Sequence, residues 1–371
     1  MYTLSVPPHI SFKIDTTGID GVYDPLREWI EAGTFGFGEN FRLLFDLIQP
    51  GDYVLDAGAH IGTFSLASAA LGAHVCAVEA GRANAAALRN SVAENAFENL
   101  IVVNNALGAK SGVLHFVENG AYGVVTERLS SVVRSDNEIA AISGQDLLQQ
   151  LGWTHVDYIK LDVEGWEIPV LEGMAEILAR DDAPIIVYES NSWALKGNGY
   201  HYLELRQALE RFGYHNFLID QHMLIDASAG AVQVDTIAEL IAIKPRDIGK
   251  IEKLGWVISS RSSNSRTIDK ICHEAKQLSV AHQIMLCEAL QRIDLDVITN
   301  EEVLRALSEN NIYARRAADG SFDFAHQVLG EAAEHIFRRN SWALGLAEKT
   351  HEEAKPRNSI AQIFQRIFKR Q

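Results

Sequence analysis

Acids and glycines come together at two places in this chain, each just after a short apolar run. The first is Asp56-Ala57-Gly58-Ala59-His60-Ile61-Gly62, following Tyr53-Val54-Leu55; the second is Asp162-Val163-Glu164-Gly165, following Tyr158-Ile159-Lys160-Leu161. Two further acids end apolar runs of their own: Glu79 after His74-Val75-Cys76-Ala77-Val78, and Glu189 after Pro184-Ile185-Ile186-Val187-Tyr188. Carboxylates at the ends of buried strands can accept hydrogen bonds from a hydroxylated ligand or take a proton from a substrate.

The first turn reads as a cofactor loop. Gly58 permits a positive φ and close approach of a ligand; Gly62 lets a new helix, starting near Thr63, pack tightly on the strand. That helix start offers N–H groups and a positive dipole end. A dinucleotide fingerprint counted from Gly58 requires glycine at His60 and Thr63 and so fails twice; no Gly-Lys-Ser/Thr follows to make a phosphate loop. An acid before the turn, Glu79 for the two ribose hydroxyls and no phosphate cradle suit a cationic, phosphate-free cofactor, S-adenosylmethionine. The other reading is an ordinary glycine turn in a flavodoxin-like fold, with Glu79 a solvated strand end. For the cofactor we select Asp56, Gly58, His60, Gly62 and Glu79, with a carboxylate expected at the N–H groups near Gly62 or Thr63 and adenine flanked by Asn105 and Ala106.

The second turn offers proton chemistry. If the acceptor is a hydroxyl, a base must take its proton. Asp162 and Glu164 lead, then Glu189, then His60; Lys160 shares a strand side with Asp162 and can lower a neighbouring acid's pKa. Alternatively the carboxylates of this turn tie down loop N–H groups. Asp162, Glu164 and Glu189 could hold a Mg²⁺, but nothing in their spacing demands one, so no metal is expected. Asn191, Trp193, Tyr200 and Tyr122 are acceptor-side candidates, each also an ordinary packing residue.

The elements that must position these groups alternate. A helix over 39–48 precedes strand 53–56; helix 63–71, strand 74–79, helix 83–95 and strand 101–104 follow. Then come an extra strand or hairpin at 112–118, a loop at 122–138, a short helix at 145–151, strand 157–162, helix 168–179 and strand 184–189. Helix 200–212 and strands 214–220 and 239–243 close the series. This is a doubly wound, Rossmann-like α/β sheet of seven strands with an antiparallel edge. Beyond Pro245 helical patterns at 268–277, 281–293, 301–308 and 325–338 replace strands, with linkers or loops at 259–265, 316–321 and 355–359. The terminal 360–370 is a basic amphipathic stretch, able to touch a membrane or partner or simply to cap. The division expected is a lead-in, 1–50, a cofactor domain, 51–246, and a helical C-terminal appendage, 247–371.

Length and composition fit that scheme: 371 residues, 47% hydrophobic and 22% charged, allow one large domain with an appendage. The net charge of -16 opposes a broad nucleic-acid footprint. Three scattered cysteines, no leader-like N-terminus and no apolar run of spanning length point to a cytoplasmic protein without a transmembrane segment.

The series from Gly51 through Gly62, then Val78-Glu79, then Asn105-Ala106-Leu107-Gly108, then Ile159-Lys160-Leu161-Asp162-Val163-Glu164-Gly165-Trp166-Glu167, with the run ending at Glu189, resembles the FkbM-type methyltransferase family. The resemblance implies a class I S-adenosylmethionine-dependent methyltransferase sheet and O-methylation of a sugar or natural-product hydroxyl. It also matches Glu39 to an upstream glutamate, which could face the cofactor's ammonium or serve only a helix dipole. His60 stands where asparagine is common, and Trp166 stands where a small residue is usual and can reshape the acceptor pocket floor. Base-amine methylation of nucleic acid is disfavoured, because the fourth-strand turn lacks proline. The remaining alternative is a catalytically silent cofactor-binding module whose C-terminal helices recruit a partner such as a glycosyltransferase; those helices could equally make a homodimer.

Overall fold

The computed structural model describes residues 1–6, 10–17, 25–117, 123–126, 138–228, 230–231 and 237–262, with short runs between 268 and 323. The chain divides into two compact units: Met1–Leu224 with Glu239–Ile258, and Ile225–Ala238 with Ser259–Gln371.

In the first unit a hairpin of β1 (Tyr2–Val6) and β2 (Ile10–Ile14) leads to α1 (Leu26–Glu31) and α2 (Glu39–Leu47). Next come β3 (Tyr53–Ala57), α3 (Thr63–Ala70), β4 (His74–Val78), α4 (Arg82–Asn95) and β5 (Leu100–Val103). A small sheet follows, of β6 (Ala106–Gly108), β7 (Gly112–Val117), β8 (Val124–Thr126) and β9 (Glu138–Ser143). After α5 (Gly144–Leu151) the chain runs through β10 (Tyr158–Leu161), α6 (Glu167–Glu172), α7 (Ala175–Leu178), β11 (Ile185–Asn191), α8 (Ser192–Gly197) and α9 (Tyr202–Glu210). Last come β12 (His215–Asp220), β13 (Met223–Asp226), β14 (Ile237–Ile243), α10 (Ile248–Lys253) and β15 (Val257–Ser262).

The main sheet has the order β15-β13-β12-β14-β11-β10-β3-β4-β5. From β5 to β3 the order runs inward; it resumes from β10 on the other side, so it reverses between β3 and β10. These two run parallel in register, Lys160 beside Asp56 and Leu161 beside Ala57. At such a reversal the turns following adjacent strands diverge and leave a crevice at their C-terminal ends. All of β10 and nearly all of β4 and β11 are buried, as strands covered on both faces must be. β14 is antiparallel to β12, the expected antiparallel element.

Several expectations are corrected. Among the described residues the main sheet has nine strands, not seven: the chain turns back after β12 through Gln221 (φ 46) and His222 (φ 65) to form β13, and β15 pairs on β13. Two consecutive left-handed residues make a tight hairpin turn without the glycine that usually announces one. The helix expected over 168–179 is two helices: a Cβ on Gly173 would lie 2.1 Å from the Gly108 carbonyl oxygen, and Gly173 O accepts from Gln145 N instead of continuing the helix. The lead-in is a docked hairpin, with Asp15 N donating to Ser91 Oγ (2.8 Å) and Asn90 Nδ2 donating to Asp15 Oδ2 (2.9 Å). Part of the loop expected at 122–138 is β8, and part of the linker expected at 259–265 is β15.

In the second unit, the described fragments include helical residues within 268–276 and at 305–307, and the antiparallel pair β16 (Arg315–Arg316) and β17 (Phe322–Asp323), which the helical pattern does not foresee. The helix expected at 325–338, the amphipathic stretch 360–370 and Tyr122 lie outside the described residues. No described helix is long and apolar enough to cross a membrane.

Candidate active site

The glycine turn is held by its neighbours' backbones. Gly58 N and Ala59 N both donate to Val78 O of β4 at 3.0 Å. Gly58 has φ +80, and a Cβ on it would lie 1.8 Å from the Asp162 carbonyl oxygen. Gly62, φ +88, caps α3; its close neighbour is Leu88 of α4, 2.2 Å from a built Cβ, and not the strand the sequence reading assigns. The first N–H groups of α3 have no intrahelical acceptor and are available to an anionic group.

Glu79 is buried and fixed at both oxygens. Oε2 accepts from His60 N (2.7 Å) and Oε1 from Gly81 N (2.8 Å), while Asn104 Nδ2 ties the Glu79 and Ala80 carbonyls. Burial raises the carboxyl's pKa; His60 and the two N–H groups oppose the rise. Each oxygen keeps further lone-pair capacity for a ligand hydroxyl.

Beneath the two turns sits Lys160, 6% exposed. Its Nζ donates to Gly58 O (2.6 Å) and lies 3.2 Å from Asp162 Oδ2 and 3.5 Å from Asp56 Oδ1. Burial alone would lower its pKa, but Asp162 and Asp56 raise it, so the ammonium keeps its charge. Asp56, fully buried, also accepts from Ser65 Oγ (2.5 Å), and its own pKa is raised by burial. Lys160 is thus a strut joining the two turns and offers no lone pair to a substrate.

The second turn is tied down by a residue the sequence reading passed over. Glu167 Oε1 accepts from Val163 N (3.3 Å) and Gly165 N (3.0 Å). Glu164 itself stands at φ 51 and is partly buried. Burial and then the charges of Asp162 and Glu167 push its carboxyl up to about 8. Glu189 is raised to about 10 by burial and then by Asp162 and Glu164; Glu239 of β14, bonded to Asn40 Nδ2 (2.6 Å), is raised to about 7, mainly by burial. Asp162, Glu164 and Glu189 each offer an oxygen within 4.8 Å of the others, compatible with shared protons or a shared cation.

A cleft opens over both turns. Gly58, His60, Thr63, Glu79, Asn105 and Ala106 line one stretch of it, and Lys160, Asp162 and Glu164 another. Asp56, Gly62, Glu39 and Glu189 are not in its wall. Asp56 is fully buried, Gly62 caps α3, Glu39 begins α2 two residues before the lining Phe41, and Glu189 is partly buried with a carboxylate oxygen within 4.8 Å of one of Glu164. Nor do Asn191, Trp193 and Tyr200 line it; Trp193 projects from α8 with 58% of its surface exposed.

The sequence reading missed Phe41, Phe64, Asn84, Phe116 and Val125 in that wall. Phe41 and Phe64 stack at 5.4 Å, joining α2 to α3, a contact their helical spacing hints at only within each helix. Trp166, noted in the sequence as a departure, is 5% exposed and forms part of the wall. A buried acid held by two backbone N–H groups, the N-terminus of α3 and a glycine with no room for a side chain thus line one cleft, an arrangement able to accept hydroxyls and an anionic group.

Residues 56–215 match the family model described as Methyltransferase FkbM domain. No curated protein matches the chain. Among solved structures, a precorrin-6y C5,15-methyltransferase from Geobacter metallireducens GS-15 shares 13% identity, with 63% of this chain and 94% of that one covered at a TM-score of 0.32. Aeropyrum pernix fibrillarin, in complex with natively bound S-adenosyl-L-methionine, shares 13%, covering 55% and 76% at 0.33. A SAM dependent methyltransferase from Aquifex aeolicus shares 13%, covering 62% and 98% at 0.34. By its family match the domain is a methyltransferase, and its cofactor is S-adenosylmethionine.

Proposed function

We propose that the FkbM methyltransferase domain at residues 56–215 methylates a hydroxyl of a sugar or natural-product acceptor, with Glu164 as the general base. The observation that carries the assignment is the different situation of three neighbouring acids. Asp162 is paired with Lys160 at 3.2 Å, Glu189 is outside the cleft wall, and Glu164 is in that wall with a pKa of about 8. A base works best with a pKa near the operating pH.

When bound, S-adenosylmethionine would supply a sulfonium methyl carbon open to in-line attack by an acceptor oxygen, the carbon–sulfur bond breaking and the neutral thioether leaving. The chain's part is to hold and align. Glu79 would take the ribose hydroxyls, the first turn of α3 the carboxylate, and Asn105 and Ala106 the adenine. Lys160 keeps the cofactor turn and the Asp162 turn in fixed relation, which is where most of such a rate gain arises. Phe41, Phe64, Phe116, Val125 and Trp166 form an apolar part of the cleft wall. Glu164 takes the hydroxyl proton as the oxygen bonds to carbon.

The clustered carboxylates also bear on the acceptor. Near neutral pH Glu164 and Glu189 are largely protonated and Asp162 is paired with Lys160, surroundings that suit a neutral hydroxyl compound. Cys76, a buried free thiol, suits a reducing cytoplasm. The test is an acceptor screen with methyl-labelled S-adenosylmethionine over sugars, glycosides and polyketides, run beside Glu164→Gln. Label in a methyl ether, lost in the variant while cofactor binding persists, is the expected result; label only on amines or nucleic acid would overturn the hydroxyl assignment.

A further inference from the structure

Helix α8 grips the catalytic turn from both of its ends. At its N-terminus Asn191 uses both halves of its amide: Oδ1 accepts from Ala194 N (3.2 Å) and caps the helix, while Nδ2 donates to Glu164 Oε2 (3.3 Å). At its C-terminus Asn198 Nδ2 donates to Gly165 O (3.2 Å). Between them the α8 backbone lies so close to Gly165 that a Cβ there would meet the Ala194 carbonyl carbon and oxygen at 2.4 Å. Asn191 is 7% exposed and outside the cleft wall, so it reaches substrate only through Glu164.

A cap needs only the oxygen of an asparagine. The amide N–H is left over, and here it is spent on Glu164, the acid of the cleft wall that is not paired with Lys160. Glu164 sits at φ 51, a conformation that residues other than glycine seldom adopt, and its carboxyl needs a fixed partner to keep one orientation. We propose that Asn191 is the positioning residue for Glu164: its N–H holds Oε2 and leaves Oε1 turned to the acceptor hydroxyl. This rests on Glu164 being the base.

The surroundings make that donor matter. Burial first, then Asp162 just after β10 and Glu167 of α6, favour a protonated Glu164, which in turn helps to raise the neighbouring Glu189 of β11, as does Glu239 of β14. Lys160 opposes them but is already committed to Asp162, Asp56 and Gly58 O. A hydrogen bond donated to the ionised carboxylate is stronger than one to the acid, so Asn191 favours the form that can take a proton.

Asn191→Ser and Asn191→Asp test this, since both keep a capping oxygen and neither carries an amide N–H. The Glu164 carboxyl is followed by carbon NMR in the full chain labelled at glutamate Cδ, its signal assigned with Glu164→Gln. Asn191→Ser should raise its titration midpoint by roughly half to one pH unit, and Asn191→Asp by more, with helix content retained. With the hydroxyl acceptor found by the screen, kcat near neutral pH should fall roughly three- to tenfold and recover at higher pH, while the KM for S-adenosylmethionine stays constant. An unmoved Glu164 titration in both folded variants would overturn the positioning role. A titration that moves while the pH–rate profile stays put would uphold the Asn191–Glu164 coupling and instead overturn Glu164 as base.

Discussion

The α-carbon of Gly58 rests against the carbonyl of Asp162, leaving 1.8 Å between that oxygen and any added Cβ. The cofactor turn and the catalytic turn are therefore packed backbone to backbone, and neither can shift without the other. Gly58→Ala adds both this clash and an unfavourable positive φ. We expect it to cost about 2–5 kcal/mol of stability and to abolish S-adenosylmethionine binding. Denaturant melts with calorimetric titration check it; near-wild-type values for both would contradict the packing.

Lys160 is the charge that lets Asp56 be buried. Replacing it by methionine keeps the apolar stem but leaves Asp56, fully buried, with Ser65 as its remaining hydrogen-bond partner. Removing one partner of a buried pair costs about 3–5 kcal/mol. Lys160→Met should lose that much in chemical denaturation, and adding Asp56→Asn should recover a good part of it. Additive losses in the double variant would show that the two charges do not depend on each other.

The parts of this site legible in the sequence are those written in local pattern. An apolar run, an acid and two glycines locate the β3–α3 turn, and the same logic places Asp162 and Glu164 at the cleft. Long-range packing was not legible. Gly62 is a glycine because of Leu88, on a different helix, and the α6–α7 break exists because Gly173 meets Gly108. Glu167, at the start of α6, is given no role by the local pattern, yet it holds the turn that presents Glu164. Phe116 and Val125 enter the cleft from a small sheet whose strands were only partly foreseen. The turn at Gln221–His222 carries none of the residues that usually favour it.

Glu79 offers a conservative test of the cofactor assignment. Both of its oxygens accept from backbone N–H groups, so an amide in Glu79→Gln must turn its NH₂ toward His60 N or Gly81 N. One hydrogen bond is lost, and the anionic acceptor for the ribose hydroxyls goes with it. At about 1.5–3 kcal/mol for a bond to a charged group, affinity for S-adenosylmethionine should fall roughly 10- to 100-fold. Calorimetry on the folded variant decides; unchanged affinity would remove Glu79 from the cofactor site.

The crowd of acids behind the cleft makes stability depend on pH. Burial is the largest cause holding Glu167 and Glu239 up to about 7, Glu164 to about 8 and Glu189 to about 10, all above the ordinary range. In the unfolded chain these groups lose their protons near pH 4.3. Above that pH the folded form binds more protons than the unfolded one, so stability falls as pH rises. Their contribution is complete below about pH 4 and is lost as the pH climbs through the folded values, by at most about 1.4 kcal/mol per pH unit for each proton. The melting temperature should thus be lower at pH 9 than at pH 6. Glu167→Gln isolates one group of the set. Its carbonyl oxygen can still accept from Val163 N and Gly165 N, and its NH₂ takes the place of Oε2, which has no hydrogen-bond partner. The variant mimics protonated Glu167, so its stability should decline less steeply between about pH 5 and 7 than that of the native chain. Equal slopes for the two proteins would mean that Glu167 is already ionised in the folded state at neutral pH.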